Sequence, residues 1–527
     1  MTQTVSGSNT NQRQMRGVDS FATGVVAILL ASVLQRVLGL GRNLGFCTFL
    51  SDDELGKWAL ANGFFVIAAP IVALGLPGSF GKFVEHFRQQ GCLGQYIRRV
   101  IFVCTLAIVA FVLVMVAVPQ WMSRFLYGEL TEFSVIFWTA ITLATVTGFN
   151  IVYELVISLR LVRVSSVMQF LNVAVFALVG VLAIWHFETW VVLLPSYAIA
   201  CTVATIPGIW SLSINARDVF QTSAPMPVRR MWSRIASFAI MLWLANLLSN
   251  LFELSDRYML LHLCHGGQEQ GQSLVGQFYC GRIIPNLLAG LALVFFSMIL
   301  PYLSLDWEDK RFESIRRRMN NVLTTMAIAF TGGSALALAA APLLFQWGLG
   351  GRFSQGESIL ALSLVQTIWG SISLIASAYL MCAEKGRQNT LLLAAAVVLN
   401  IVLNWPLIYY FDLFGSVVAT AIANLLLMLA TMWRVHREGC QLGARTLALC
   451  LAPIILVTGA GCSLACLLIL TVLAGRTNWV LSSDDRKWLD GEITPRLRAW
   501  KLPIESLWPR TSPIQFKLDA QASACQD

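Results

Sequence analysis

Leu34-Gln35-Arg36-Val37-Leu38-Gly39-Leu40-Gly41-Arg42-Asn43 places two guanidinium groups inside an apolar run that extends from about Phe21 to about Leu50. A run of ~20 apolar residues crosses a bilayer core of ~30 Å. Each arginine near the centre of such a helix costs ~2.5–3.5 kcal/mol on insertion scales, and arginine does not relieve that cost by losing its proton. These charges must face water, a partner or a substrate. The stretch therefore implies a membrane protein whose interior is polar somewhere.

Composition agrees. The 527 residues are 57% hydrophobic and 12% charged, against ~25% charge in a soluble domain. Residues 1–20 are polar and read as a disordered N-terminus. The run after them is longer than a signal-peptide core of ~7–15 residues and reads as the first membrane helix. Thirteen candidate membrane segments follow from hydropathy, centred on about 22–46, 57–78, 99–121, 133–157, 166–187, 189–212, 233–261, 282–303, 321–349, 358–382, 390–411, 413–435 and 446–474. The net charge of +9 reflects topology and not nucleic acid. Basic residues fall about 22 to 6 between alternate loops. Lys82, Arg88, Arg163, Arg230, Arg318 and Arg387 exemplify the rich side, while Arg42, Lys57, Arg124, Arg257, Arg282 and Arg352 make up the poor side. This places the N-terminus in the cytoplasm of a cytoplasmic (inner) membrane.

The layout repeats. Ala31 to Arg42, a short loop and Gly63 to Pro77 are matched by Ala245 to Arg257, a loop and Gly281 to Pro301. Six segments separate the copies. An even number makes the halves parallel about the membrane normal. The fold class expected is an all-α polytopic membrane protein, with two parallel six-helix bundles around a central cavity and at least one extra C-terminal helix. The divisions are a first bundle over 21–215, a cytoplasmic linker over 216–231, a second bundle over 232–437, an extra membrane helix over 446–474 and a polar tail over 475–527. The linker and tail sequences do not say what they bind.

Polar residues inside the segments are the candidate site. Arg36 and Arg42 stand ~9 Å and ~120° apart on a straight helix. Arg36 lies too deep to snorkel, so it reads as a cavity residue; Arg42 reads either as a cavity residue or as snorkelling to the outer interface. Asn246, Asn250 and Glu253 share one face at i, i+4, i+7 spacing, with Asp256 and Arg257 beyond them. Asp256-Arg257 reads as an interfacial ion pair or as part of a site. Glu154 suits a proton or cation site, or a counter-charge to Arg160 or Arg163. Asn400, Asn404 and Asn424 read as interhelical glue.

No phosphate loop or nucleophile elbow is present, so no catalytic residue is assigned. His262-Leu-Cys264-His265 lacks a second ligand cluster, so no metal or cofactor is called for. Most of the twelve cysteines sit in apolar runs as small hydrophobes. Cys264 and Cys280 share a predicted external loop, which leaves a disulfide open. Two basic loops, Gly81 to Arg99 and Asp306 to Asn321, read either as surface helices on anionic lipid or as ordinary cytoplasmic loops.

Gln35-Arg36-Val-Leu-Gly-Leu-Gly-Arg42, the acidic loop after it, Gly75-Leu-Pro-Gly-Ser-Phe, and Asp256-Arg257 in segment seven together resemble the oligosaccharide-lipid flippases. That family is part of the multidrug/oligosaccharidyl-lipid/polysaccharide exporter superfamily. The resemblance covers roughly residues 20–440 in layout. It implies two lobes around a cavity of alternating access and a polyprenyl diphosphate substrate bearing sugars. It also implies a role for Arg36 and Arg42 at the diphosphate; the residues themselves add Arg257 and Asn250 as substrate-binding candidates and Glu154 and Asp256 as possible coupling-ion sites. Expected partners are lipid-linked oligosaccharide, membrane lipids and glycan polymerase or glycosyltransferases of the same pathway. The lipid II branch also carries arginines after the proline of its second helix. Pro70-Ile-Val-Ala-Leu has none, which favours the polysaccharide branch. A cation-coupled drug exporter and an integral-membrane glycan polymerase or ligase are the alternatives.

Overall fold

The computed structural model describes residues 21–215, 228–465 and 468. The N-terminal 1–20, most of the linker, the end of the 446–474 segment and the 475–527 tail lie outside the described residues. The first half contains α1 (Phe21–Phe49), α2 (Asp52–Val72), α3 (Phe80–Gln89), α4 (Leu93–Ala117), α5 (Pro119–Tyr127), α6 (Phe133–Ser158), α7 (Val162–Phe187) and α8 (Leu193–Asn215). The second half runs through α9 (Val228–Leu263), α10 (Gly267–Gly281), α11 (Ile283–Glu308), α12 (Phe312–Pro342), α13 (Ser354–Ser358), α14 (Leu360–Cys382), α15 (Gly386–Arg437) and α16 (Ala444–Leu451). Among the described residues, nine helices are long and apolar enough to cross a membrane. One of them, α15, doubles back at Asp412, whose φ of 47° and ψ of −124° interrupt the helix. It is therefore two antiparallel crossings. The turn is so tight that a Cβ on Gly415 would fall 1.8 Å from the Leu407 carbonyl oxygen. The protein is a multi-pass, all-α membrane protein.

The described part of the extra C-terminal segment is not one straight helix. After α16 the chain tightens into a 3-10 stretch over Ala452–Thr458. It then passes Gly459 at φ 101° and resumes as helix. Pro453 opens that stretch because its missing N–H cannot extend the helix before it.

Within the first half α7 packs on α1 and α8, and α6 on α2, α4 and α8. Within the second, α14 packs on α11, α12 and α15, and α9 on α15. An aromatic cluster anchors the first half. The Phe176 ring lies 5.7 Å from Phe46, 5.4 Å from Trp58 and 4.7 Å from Tyr197. Such pairs contribute ~0.5–1.5 kcal/mol beyond area burial.

The loop over Gly81 to Arg99 finds its partner inside the protein. Phe80, Phe83, Val84 and Phe87 of α3 are all buried, and Phe87 meets Tyr96 at 4.6 Å. Their i, i+3, i+4, i+7 spacing forms one stripe, and that stripe covers the base of α6 instead of entering lipid. The second basic loop is organised by Asp306, which is buried and pairs with Arg311 and Arg318, each at 3.3 Å. Cys264 and Cys280 are both free thiols. The open disulfide reading is not realised, because Cys280 is turned inward against Cys47.

Candidate functional site

The two halves meet along two seams. At the first, α1 faces α11. Arg36 extends across it and donates from Nη2 to the Gly290 carbonyl at 2.6 Å. A helical carbonyl keeps a second lone pair after its intrahelical bond, so it can accept this donor. Gly290 makes the approach possible: a Cβ there would sit 1.8 Å from Arg36 Nη1. The arginine is half-buried. It is thus a mid-helix cation on the boundary between halves.

Arg42 turns its half-buried guanidinium toward the first half. Its Nε and Nη2 donate to Asn43 Oδ1 at 3.2 and 2.9 Å, and its guanidinium lies 4.8 Å from the Phe176 ring centroid. Tyr279 of α10 donates to the same Asn43 oxygen at 3.1 Å. Arg42 and Tyr279 thus meet at the Asn43 oxygen.

At the second seam α2 faces α9. Arg257 is buried and donates to the Ala59 carbonyl at 3.1 Å. The next residue, Tyr258, donates to the next carbonyl, Leu60, at 2.9 Å. Arg257 rests over Gly63, where a Cβ would lie 3.5 Å from Nη1. In this arrangement Arg257 fastens the halves together. Asn250 donates to Asn246 Oδ1 at 2.8 Å and makes a longer contact of 3.5 Å to the Val66 carbonyl. Those two asparagines belong to the polar face read from the sequence, whose third member, Glu253, has its side chain outside the described residues.

Asp256 points away from that seam into the second half. It is fully buried. Oδ1 accepts from Asn404 Nδ2 at 2.7 Å and Oδ2 from Thr420 Oγ1 at 2.6 Å. Asn400 completes the set, accepting from Ser255 at 3.1 Å and donating to Thr420 at 2.9 Å. Asn404 Oδ1 and Ser416 Oγ, both buried here, lack a hydrogen-bond partner among the described residues. The asparagines read as interhelical glue thus surround a carboxylate, with two oxygens left over. Glu154 stands apart, on an exposed position of α6 in the first half.

The third contact between halves was not visible in the sequence. α10, read as an external loop, is a helix pressed against the start of α2. A Cβ on Gly56 would fall 1.8 Å from the Gln272 carbonyl oxygen, and one on Gly276 1.9 Å from that of Asp52. Gln277 donates to Asp52 Oδ2 at 2.5 Å. Arg352 donates to the Leu50 carbonyl at 2.5 Å. These groups close the face that the loop charges assign to the exterior. Among the described residues no cluster of three or more His, Cys, Asp or Glu is arranged for a metal ion.

Several solved structures share this fold. Lipid II flippase MurJ in an inward closed conformation superposes with a TM-score of 0.66 at 14% identity, over 86% of this chain and 94% of that one. An inward-facing multidrug resistance MATE family transporter of the MOP superfamily gives 0.61 at 14% identity, over 78% and 98%. A MOP superfamily transporter from Pyrococcus furiosus gives 0.56 at 12% identity, over 80% and 94%. No curated protein sequence matches the chain. Residues 21–305 match the family described as Polysaccharide biosynthesis protein. That match covers more than half of the sequence, including both seams and the helices that carry Arg36, Arg42 and Arg257, and so the chain belongs to the polysaccharide biosynthesis protein family.

Proposed function

We propose that this protein flips a polyprenyl-diphosphate-linked oligosaccharide from the cytoplasmic to the outer leaflet by alternating access, making and breaking no covalent bond. The observation that carries the reading is Arg36: a half-buried guanidinium at mid-helix, on the line where the halves separate, held by one hydrogen bond to a backbone carbonyl. A neutral carbonyl is a weaker partner than phosphate, because charge-assisted bonds are roughly twice as strong. An arriving diphosphate would displace it, and the planar fork would grip two oxygens. Family membership supports a glycan substrate. The fold it shares with the lipid II flippase supports a lipid-linked one.

Asp256 is the proposed coupling site. One carboxylate among neutral oxygens supplies a single negative charge, which suits a proton or a monovalent cation. A buried carboxylate costs several kcal/mol, of which its hydrogen bonds and the nearby charge of buried Arg282 offset part, so its occupant changes the stability of the second half. The same cluster would serve a cation-coupled drug exporter, but Arg36 and Arg42 are the wrong sign for cationic drugs.

The test is accumulation of lipid-linked oligosaccharide on the cytoplasmic face, normalised to protein in the membrane. Arg36→Ala removes a charge-assisted contact of ~1.5–3 kcal/mol, which predicts an export rate about 10- to 100-fold lower. Arg36→Lys is also impaired, since it keeps the charge and loses the fork. Insertion is not harmed, because a costly charge is removed. Full export by Arg36→Ala at normal protein level would move the diphosphate site elsewhere.

A further inference from the structure

A cavity of about 590 Å³ lies on the α2/α9 seam. Its walls come from both halves. Phe64, Ile67, Ala68 and Ile71 of α2 stand on one side, with Phe111 of α4 and Phe125 of α5. Leu251, Ser255, Met259 and His262 of α9, with Ile401 and Trp405 of α15, stand on the other. The α9 residues recur at i, i+4, i+8, i+11, one face of the helix. That face extends ~18 Å along the helix axis.

The lining is hydrocarbon. Ser255 points its hydroxyl proton at Asn400, and Tyr258, also in the wall, gives its own to the Leu60 carbonyl. His262, at the end next to the α9–α10 turn, is the polar side chain that remains. Trp405 is 67% exposed and Phe125 50% exposed. The rim therefore opens sideways, and at this depth what lies beside it is lipid. Phe125 stacks between Trp121 at 5.5 Å and Tyr258 at 6.4 Å, which gives the mouth a flat aromatic edge. Spread over that length, the volume leaves a cross-section on the order of 30 Å². That admits one hydrocarbon chain at van der Waals spacing and not several abreast.

We propose that this groove binds a single hydrocarbon chain, isoprenoid or acyl, that enters laterally from the bilayer. Along the groove short of His262 at its end, a polar solute finds no free donor or acceptor to replace its water. An organic cation has no carboxylate, because Asp256 is turned into its own cluster. Since α2 and α9 supply opposite walls, the site exists only while that seam is formed. The chain then acts as a wedge whose presence favours this arrangement of the halves. Ser255 in the groove wall connects to Asp256 through three hydrogen bonds, by way of Asn400 and Thr420. The inference needs a membrane protein and not the flippase reading, and its test measures binding alone.

The test is photo-crosslinking of the full-length protein in lipid nanodiscs. One probe is a phosphatidylglycerol with a diazirine on its acyl chain. The other is a long-chain polyprenyl phosphate with a diazirine on its isoprenoid. Crosslinks are mapped by mass spectrometry. Labelling at Ile67, Leu251 or Trp405 should exceed that at Phe102, a lipid-facing position of α4 that is 69% exposed, by about tenfold, equivalent to ~1.4 kcal/mol of preference. Ile67→Trp and Leu251→Trp, each filling the groove, should remove that excess while the melting temperature holds. Labelling by the isoprenoid alone identifies a substrate-type chain, and labelling by the acyl probe identifies a bilayer lipid. Groove labelling no higher than at Phe102 in the wild-type protein overturns the proposal. So does labelling that persists in both folded variants.

Discussion

Arg36 and Gly290 work as a pair, and each explains the other. The arginine needs a second-half acceptor at mid-helix, and only a residue without a Cβ exposes its carbonyl at that range. Alanine at 290 suits the helix better than glycine by up to ~1 kcal/mol, yet its Cβ would displace the guanidinium. Gly290→Ala should therefore keep or raise the melting temperature while lowering export about tenfold, the equivalent of ~1.4 kcal/mol. Unchanged export would show that the resting position of Arg36 is irrelevant. Asp256 invites the complementary substitution. Asp256→Asn has the same shape and can still accept from Thr420, and it removes a buried charge. Expression should hold, and transport should lose its dependence on sodium or on a proton gradient. A variant that keeps a wild-type cation dependence would relocate coupling, with Glu154 next in line.

At the scale of elements, hydropathy made the crossings legible and concealed what lies between them. Arg36 stood out because a charge in an apolar run is conspicuous. α10 did not, because Gly267–Gly281 is polar enough to pass for a loop. Its glycines at 271, 276 and 281 recur every five residues, and each step turns ~140° about the axis. They accordingly face three neighbours: the Leu261 carbonyl, the Asp52 carbonyl and the Gly356 carbonyl. A five-residue glycine period was the available signal, though it matches neither helix nor strand amphipathicity. The Asn400 and Asn404 cluster was hidden for another reason. Asn404 is 148 residues of chain from Asp256, and the two meet only in three dimensions. Gly276→Val tests the α10 seal. Its branched side chain would meet backbone, which cannot swing aside as a side chain does. α2 and α10 should separate, and Cys47 and Cys280, both buried in this arrangement, should react with a membrane-impermeant maleimide. Cys264, half-buried at the turn between α9 and α10, calibrates the labelling. Thiols that stay protected would mean the seal tolerates the added bulk.

Across the whole molecule the seams are reciprocal. The first helix of the first half, α1, meets the second membrane helix of the second half, α11. The second helix of the first half, α2, meets the first helix of the second half, α9. That exchange is what two parallel halves related about the membrane normal would produce, and it supports the repeat read from Arg42 and Arg257. It also dictates how the molecule would move. Contacts inside each half are broad and apolar. Those between halves near the closed face add close glycine contacts, the Asp52–Arg352 ion pair at 3.7 Å and hydrogen bonds from Gln277, Arg352 and Tyr279 to a patch of buried apolar side chains. Rigid halves rocking on such a seam would break hydrogen bonds of ~0.5–1.5 kcal/mol each and uncover the apolar cluster that Leu274, Val275 and Phe278 share with Leu55 and Trp58. Locking the seam should therefore stop transport, and locking a half should not. Asp52 and Gln277 touch across the seam at 2.5 Å, so Asp52→Cys with Gln277→Cys, joined by a short bifunctional thiol reagent, ties the halves together. Asn172 touches the native Cys201 at 3.3 Å within the first half, so Asn172→Cys joined to Cys201 is the matched control. The first crosslink should abolish export, with recovery when a cleavable reagent is cut, and the second should leave export near the uncrosslinked level. Full export with Asp52 and Gln277 positions joined would place the moving boundary somewhere other than this seam.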